Sequence, residues 1–539
     1  MRGRYMNMRK LLALAAAASM ATTACLDLDV ANLEDADAER ALATPGDLEA
    51  LIGGGWRNWW NSSSANSAPG PILFTASYQH SATAANFGMV EFSSWPKVPA
   101  HYLPSHSFYS QNVANAWIWN YRAISAVTDG LKVLDAGTVE LETPEDLARN
   151  QALGYYTLGL AHGTIAMLYD QGYIFDPSIA LEDVALQPYG DVMTAALGYF
   201  DRAIQEAQGQ SFTIPSAFMS QDVSAAQLVR MAYSMKARYR ANVARTPAER
   251  AAVNWQSVAA DAANGVTEDW SVNVRSGSGY SSGTLVNIHR FGPWGELSYQ
   301  VLGMADVSGQ YQKWLARPDP WDRHPNLADN QVDDPFLIMT PDLRFAQGAT
   351  IAEQEQNDGV LYELPTASGG FAAGWARPDR GSFRWSYYRY VANDQWHSSA
   401  NRTEHPEITL DEMRLLQAEA AYRANDLATA ANLINVTRTA AGLNATDASG
   451  TNTSCVPKMA NGSCGDLWEM YKWEMRLETM YQGLLMAPWY FHGRGWGDLP
   501  SGVMLHMPVP GREAELLGIP PYTFGGSGEG AAPIGTYGY

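Results

Sequence analysis

The sequence predicts a mostly α-helical fold in which tetratricopeptide-like helical hairpins form a scaffold that also carries long irregular loops. Two observations lead to this prediction. Apolar residues recur at three- and four-residue steps, preceded by capping residues, in two blocks at 45–266 and 406–484. Between them, residues 267–405 are rich in Gly, Pro, Ser, Asn and aromatic residues, which is typical of irregular structure. We therefore expect one domain over 45–539.

The helices of the first block have recognisable starts. Ser110 can cap a helix whose apolar residues run from Val113 to Leu134. Thr143 supplies the next N-cap, followed by a proline and two acids, and this helix should end near Tyr169. Small residues inside it would let another helix approach closely. Short connections join these helices to further ones predicted at 191–207, 224–244 and 248–263.

The second block contains the plainest helical pair. Its two helices are predicted at 409–423 and 427–441, with Asn425 in the turn between them and Gly442 ending the second. A last helix is predicted at 467–482. Hairpins of this kind are the pattern of tetratricopeptide-like units rather than of a four-helix bundle.

Composition excludes several classes of protein. The 539 residues include 56 Asp and Glu against 36 Lys and Arg, a formal net charge of −20. Nucleic acid is not expected as a partner, because affinity for phosphates comes from Lys and Arg. With 46% hydrophobic residues and 11% aromatic residues, the chain is globular rather than disordered.

The N-terminus predicts export. Residues 1–24 combine three arginines and a lysine with a short apolar run, as a signal peptide does, and the run is too short to span a bilayer. Residues 22–25 resemble a lipobox, so we expect cleavage before Cys25 and lipidation of that cysteine. An ordinary cleavage site with an incidental cysteine is the alternative. Removing four cations and no acid takes the formal charge from −20 to −24, and residues 25–44 would form an acidic tether.

The other two cysteines, Cys455 and Cys464, lie in a short polar segment. In an oxidising compartment an even pair predicts a disulfide that staples this loop, whereas a metal site would need more Cys or His nearby.

Residues 408–443 form a helix pair with Glu419 in an "AEA" motif and Arg438 in an "IN..R..AGL" motif. These motifs resemble those of the SusD/RagB-like outer-membrane nutrient-binding lipoproteins. Further similarity lies in the acidic-basic helix and the elements after it, at Glu474, Arg476, Glu478, Gly493, Arg494, Asp498 and 507–510 with Glu513. The resemblance covers most of the mature chain.

This resemblance implies a helical scaffold whose irregular loops carry the ligand site. It also implies a partner, a SusC-like TonB-dependent transporter, over which the lipoprotein sits as a lid. The expected location is the cell surface, anchored by lipid in the outer membrane.

Enzymatic motifs are scarce. There is no zinc-binding His-Glu-x-x-His, nucleophile elbow or Walker loop, so we assign no catalytic residue, metal site or cofactor. Residues 329–334 could offer oxygen ligands to calcium but lack the glycine and terminal glutamate of an EF-hand. Carboxylates are plentiful, and only their separation in space would reveal a glycosidase pair.

Aromatic residues in the irregular segments are the candidate ligand contacts, because sugar rings stack their C–H faces on Trp and Tyr. Those on helices, such as Trp117 and Tyr239, fit a core better, and Trp56, Trp59 and Trp60 could pack the scaffold or face the transporter. The candidates are Trp95, Tyr102, Trp294, Tyr299, Trp321, Trp375, Trp385, Tyr388 and Trp396. For each of them, packing within the loop is about as plausible as ligand contact.

The leading hypothesis is a surface lipoprotein that captures an oligosaccharide or peptide and delivers it to the transporter without chemical conversion. An exported glycoside hydrolase or lyase on a helical toroid is the alternative and would need two facing carboxylates in a cleft. A helical-repeat scaffold that binds proteins is a third possibility, with its aromatic residues along a concave helical surface.

Overall fold

A computed structural model of the protein describes residues 44–65, 68–79, 88, 107–275, 277–280, 283, 297–316, 336–364, 386, 388–392, 404–499 and 503–519. Within these residues the chain is mostly helical, with four short two-stranded antiparallel sheets. The predicted fold class is confirmed.

The helices in the described ranges, numbered α1 to α17, are Pro45–Ser64, Gly70–Ala76, Ser107–Ala136, Pro144–Leu168, Tyr189–Ala207, Ser216–Met219, Ala225–Asn242, Pro247–Ala251, Trp255–Ala263, Tyr299–Leu302, Gln310–Leu315, Ile351–Gln354, Leu410–Arg423, Leu427–Ala440, Leu467–Glu478, Pro488–Trp496 and Gly511–Leu517. The strands, β1 to β8, are Gln171–Tyr173, Leu186–Pro188, Thr213–Ile214, Val223–Ser224, Trp270–Asn273, Tyr362–Glu363, Arg389–Tyr390 and Glu404–Ile408. Short 3₁₀ turns lie at Leu181–Asp183, Gly303–Ala305 and Leu484–Met486.

Most predicted helices are present, with two differences. The N-cap predicted at Thr143 starts α4, where Thr143 forms a capping box with Asp146. Helix α3 begins at Ser107, so the prediction that Ser110 caps it is wrong. The single helix predicted over 248–263 is also wrong, because the chain forms α8 and α9 there and the side chain of Asn254 caps the second.

Helix α4 is the centre of the first block, since it packs against α1, α3 and α5. A Cβ added at Gly159 would lie 2.8 Å from the Phe200 ring of α5, and one at Gly163 would overlap the Tyr239 ring of α7. Glycine at these positions therefore lets the neighbouring helices approach α4 closely. The small residues of this segment predict such an approach.

The tryptophans of α1 belong to the scaffold. Trp56, Trp59 and Trp60 are at most 5% exposed. Trp56 stacks on Trp60 with 6.4 Å between ring centroids, and the Trp59 indole donates to Thr164 Oγ1 at 3.0 Å. Of their two predicted roles, packing within the scaffold is the one that the structure displays.

The helical stack continues across the irregular region. Helix α7 packs against α9, α9 against α13, and α13 against α14 and α15. Strand β5, which follows α9, pairs with β8, which precedes α13. Asp269 Oδ1 also accepts the Leu410 amide at 2.9 Å. The irregular region is therefore an insertion whose two ends are fixed at the same place on the scaffold.

A loop after α14 is closed by a disulfide between Cys455 and Cys464. The Arg438 guanidinium of α14 donates to the Val456 carbonyl at 2.8 Å and to the Asn452 side chain at 2.7 Å. These bonds fasten the stapled loop to the end of the helix.

Two buried arginines join the helices of the stack through carboxylates. Arg238 of α7 makes a two-pronged ion pair with Glu412 of α13, with N–O distances of 2.7 and 2.6 Å. Arg250 of α8 does the same with Glu419 of α13, at 2.8 and 2.6 Å. Bidentate pairs of this kind fix the orientation of both side chains. They therefore set how α7 and α8 sit on α13.

A third buried arginine joins the inserted region to the last scaffold helix. Arg344 pairs in bidentate geometry with Asp342 and with Glu474 of α15, at 2.8 to 3.1 Å, and also contacts Glu478 at 2.7 Å. Although burial lowers the pKa of Arg344, these carboxylates raise it well above its ordinary value. The guanidinium stays charged and holds residues 342–344 on α15.

Two further arginines cap the end of α4 without a carboxylate partner among the described residues. Arg245 donates to the Ala166 and Tyr169 carbonyls, and Arg494 donates to the Met167 carbonyl at 2.9 Å. The carbonyls at a helix C-terminus carry partial negative charge and favour a cation. Burial, followed by repulsion from Arg494, lowers the pKa of Arg245 to about 9.

We expect Glu419→Gln to lower the free energy of unfolding by about 3–5 kcal/mol, because it leaves the buried Arg250 without its charge partner. Urea unfolding followed by tryptophan fluorescence measures the loss. The control, Glu206→Gln, breaks the more exposed Arg202–Glu206 pair and should cost no more than about 1 kcal/mol. Equal losses in the two variants would contradict the role given to the buried pair.

A second pair of variants tests the close contact between α4 and α7. Gly163→Ala places a methyl group inside the Tyr239 ring and should destabilise the fold, by roughly 1–3 kcal/mol as for other overpacked cores. Gly198→Ala, on the exposed face of α5 with open space around it, should stabilise by up to about 1 kcal/mol through helix propensity. Thermal unfolding of both variants should shift the midpoints in opposite directions, and shifts of the same sign would refute this packing.

Candidate ligand-binding site

A cavity of about 420 Å³ opens where four parts of the chain meet. We call it the α15 cavity, because three of its side chains come from that helix. Its lining residues are Ser77, Tyr78, Gln300, Val301, Met304, Met459, Glu469, Lys472, Arg476, Trp489, Gly493, Asp498 and Leu499. They come from the segment after α2, from α10 and the turn after it, from the disulfide loop, and from α15, α16 and the residues that follow.

Helix α15 supplies the charged wall of this cavity. Glu469, Lys472 and Arg476 are separated by three and four residues, so they lie on one face of the helix. Asp466 caps its N-terminus by accepting the Glu469 amide at 3.0 Å. The disulfide loop ends directly before this cap, so the staple and the cap together fix where the charged face begins.

The charges on this wall compensate one another. Lys472 Nζ lies 2.8 Å from Glu469 and 3.0 Å from Asp498, and Arg476 lies 2.5 Å from the same aspartate. Burial alone would raise the pKa of Asp498, but Arg476 and Lys472 lower it below its ordinary value. Two cations and two carboxylates therefore give a polar wall with no net charge.

Much of the remaining lining is apolar or aromatic. Val301, Met304 and Leu499 contribute aliphatic surface, and Tyr78 and Trp489 are only 5% and 3% exposed. The Trp489 indole donates to the Arg476 carbonyl at 2.5 Å, so α16 is fixed against α15. The cavity thus sets apolar surface against a row of hydrogen-bonding groups.

One amide in the lining keeps an unused acceptor. Gln300 Oε1 is buried and has no hydrogen-bond partner within the described part of the chain. Its main-chain carbonyl accepts the Tyr311 hydroxyl at 2.7 Å, so the backbone there is fixed. A bound hydroxyl group could donate to this oxygen and remove the cost of leaving it unpaired.

Seven of the nine predicted ligand-contacting aromatic residues lie outside the described residues: Trp95, Tyr102, Trp294, Trp321, Trp375, Trp385 and Trp396. Residues 329–334, considered as calcium ligands but not assigned, lie outside them as well, and so does Cys25.

The other two, Tyr299 and Tyr388, are packed inside the protein. Tyr299 stacks on Phe336 with 3.9 Å between centroids and donates to the carbonyl of the same residue at 2.9 Å. The Tyr388 hydroxyl donates to Gln354 at 2.6 Å and accepts the Ile338 amide at 2.8 Å. Both rings support the walls of the inserted region, and their contact with a ligand stays a prediction.

The sequence did not single out the α15 cavity as a site. Lys472 lies on the last predicted helix, Trp489 lies beyond its predicted end, and Gln300 carries no distinctive signal. Arg476 and Asp498 belong to the motifs that resemble the family. The spacing of Glu469 and Arg476 along one helix, with Asp498 following that helix, is the signal that could have indicated a charged wall.

Metal-binding clusters and membrane-spanning helices are both absent from the described residues. In the ranges given above, no group of three or more His, Cys, Asp or Glu side chains is arranged to hold a metal ion. No helix in those ranges combines the length and apolar character needed to cross a bilayer.

Comparisons with known proteins agree with this fold. The family model of the SusD family matches residues 319–484. No curated protein matches the chain. A SusD-like carbohydrate binding protein from Bacteroides vulgatus shares 13% identity over 85% of this chain and 84% of that chain, with a TM-score of 0.51. A SusD superfamily protein from Parabacteroides distasonis shares 12% identity over 88% of this chain and 98% of that chain, with a TM-score of 0.54.

Three of the motif residues behind the resemblance are buried in the scaffold. Glu419, Arg438 and Glu474 are fully buried. Glu419 holds Arg250, Arg438 holds the disulfide loop, and Glu474 holds Arg344. The family model thus matches residues 319–484, and the chain shares the fold of the SusD-like solved structures over 85–88% of its length.

Proposed function

We propose that this protein is a lipid-anchored nutrient-binding protein of the outer membrane that captures an oligosaccharide at the cell surface. It delivers the sugar, as a lid, to a SusC-like TonB-dependent transporter. The observation that carries the binding role is the α15 cavity, whose charged wall of Glu469, Lys472 and Arg476 falls within the region matched by the SusD family.

The lining of this cavity suits a sugar. A sugar presents apolar C–H faces and a rim of hydroxyl groups that both donate and accept. Val301, Met304 and Trp489 offer surface for the faces, while Gln300 and the wall of α15 offer partners for the hydroxyls. Because Lys472 and Arg476 are already paired with carboxylates, the site has no net charge that would demand a charged ligand.

The position of the cavity also fits capture by the irregular segments. Its lining residues Tyr78, Gln300 and Leu499 lie within a few residues of segments 80–106, 281–296 and 500–502. The first two of these segments include Trp95, Tyr102 and Trp294, which we propose as additional ligand contacts.

No chemical conversion is part of this proposal. The carboxylates of the α15 cavity are paired with cations, and although burial would raise the pKa of Asp498, Arg476 and Lys472 lower it below its ordinary value. A glycosidase acid needs a raised pKa instead. The alternative function, a glycoside hydrolase, is therefore less well supported at this cavity.

Electrophoresis in native gels containing soluble polysaccharides tests the binding role. We expect retardation by at least one member of a panel covering glucans, mannans, xylans, fructans and uronans, with no release of shorter products. A chain that is retarded by none of them, or that degrades them, would contradict the proposal.

Gln300→Ala tests the site. Loss of one hydrogen bond worth about 0.5–1.5 kcal/mol should weaken affinity for the retarding polysaccharide roughly two- to tenfold. The side chain makes no bond that the fold needs among the described residues, so stability should be unchanged. The matched control is Gln210→Ala, an exposed glutamine outside the cavity, which should bind as the parent does. Unchanged binding by Gln300→Ala would show that this cavity is not part of the ligand site.

Cys25→Ala tests the anchor. If the signal is cleaved before a lipidated cysteine, the variant should move from the outer-membrane fraction to the soluble fraction, because a lipid chain is what holds the folded chain at the membrane. The parent protein should co-purify with a barrel transporter after gentle solubilisation. Retention of the variant in the membrane, or a parent protein without any such partner, would contradict these parts of the proposal.

A further inference from the structure

A second cleft, of about 430 Å³, lies on another side of α15 and shares no lining residue with the α15 cavity. We call it the α13–α14 cleft. It is lined by the start of α13, the second half of α14, the end of α15 and the inserted region, through Asp269, Arg344, Val360, Leu361, Leu410, Asp411, Arg414, Val436, Thr437, Ala440, Ala441 and Glu478. Arg476 and Glu478 are two residues apart on α15, so they point to different sides of the helix and separate the two sites.

One wall of this cleft is apolar and unusually open to solvent. Val360 is 70% exposed and Val436 is 47% exposed, although both are aliphatic. Leu361, Leu410 and the two alanines at the end of α14 extend the same wall. Leu343, 48% exposed, adjoins it, since its backbone bonds to Val360 and Ala441. Apolar side chains grouped on a surface and edged by polar residues mark interaction sites.

The other wall carries more negative than positive charge. Its carboxylates are Asp269, Asp411 and Glu478, and its cations are Arg344 and Arg414. Arg414 pairs with Asp411, and Arg344 is shared by Glu478 and two buried carboxylates. Asp269 accepts a backbone amide and has no cation partner within the described ranges.

The network behind this wall does not restore the balance. Behind the wall, Arg438 lies 3.8 Å from Glu474, and Asp342 lies 2.8 Å from Arg344. With the residues of the wall, three arginines face five carboxylates, an excess of two negative charges.

The pKa values of two carboxylates in this wall are raised. Burial raises the pKa of Glu478 to about 7, and the neighbouring Glu474 and Asp411 add to this against the effect of Arg344. Burial also raises the pKa of Asp411, with Asp269 adding to it and Arg414 opposing it. A cation placed in the cleft would favour the ionised forms of both groups.

We propose that the α13–α14 cleft is a docking site for a partner polypeptide, which inserts an aliphatic segment that carries a lysine or arginine side chain. The aliphatic residues cover Val360 and Val436, and the basic group lies against Asp269, Asp411 and Glu478. Charge complementarity favours this occupant over an acidic one, which would meet like charge. The site is independent of the proposed nutrient-binding cavity.

The test uses the full chain with methyl-labelled Val and Leu residues and two short peptides that differ only in charge sign, acetyl-Ile-Lys-Val amide and acetyl-Ile-Glu-Val amide. We expect the lysine peptide to shift the methyl signals of Val360 and Val436 in a saturable way. The glutamate peptide should bind at least tenfold more weakly.

The double variant Asp269→Asn with Asp411→Asn should weaken the lysine peptide at least fivefold. Asparagine keeps the acceptor oxygen that bonds to Leu410, so the fold should persist. The matched control, Glu182→Gln with Asp183→Asn, removes two charges from an exposed turn and should leave binding unchanged. A third variant, Val436→Ser, keeps every charge and should weaken the peptide by loss of apolar contact.

Three results would overturn the proposal. The first is the absence of saturable shifts at these methyl groups with the lysine peptide. The second is equal binding of the two peptides, because the acidic wall would then have no influence. The third is an equal loss of binding in the control double variant, because the weaker binding would then follow from the net charge of the protein and not from the charges of this cleft.

Discussion

The buried arginines bring positive charge into the protein interior, where an ion without a partner costs several kcal/mol. Each one is matched to a group on a different element of the chain. Arg238 and Arg250 reach Glu412 and Glu419 on α13, and Arg344 reaches Glu474 on α15. Since a bidentate pair between a guanidinium and a carboxylate is planar and directional, these contacts help to fix the relative positions of helices that are far apart in sequence. The hydrophobic core packs between the same elements.

This dependence explains what the family motif encodes. Glu419 and Arg438, the residues that make the helix pair recognisable, are fully buried and face the interior rather than either cleft. They stabilise the scaffold, and other residues determine which ligand binds. Solved SusD-like structures share this fold although they are only 12–13% identical to this chain over most of its length.

Helix α15 connects this scaffold to both clefts. Its buried face holds Glu474, one side carries Lys472 and Arg476 into the α15 cavity, and its end carries Glu478 into the α13–α14 cleft. The electrostatics of the two sites differ. Charges in the first are paired and cancel, which suits a neutral ligand rich in hydroxyl groups, whereas the second has a surplus of carboxylates beside exposed aliphatic residues, which suits a basic partner. One helix thus serves two kinds of recognition, because residues on its different sides meet different neighbours.

The sequence by itself determined the helical fold, most helix starts and the stapled loop, because periodicity, capping residues and cysteine pairing are local properties of the chain. It also determined that Glu419 and Arg438 matter, through their motif, without saying why. Only the tertiary structure decided that Tyr299 and Tyr388 pack inside, and that Lys472, Gln300 and Trp489 share a cavity. These outcomes depend on contacts between residues far apart in the chain. A pattern of residue types along one segment carries no information about the segment that will lie against it.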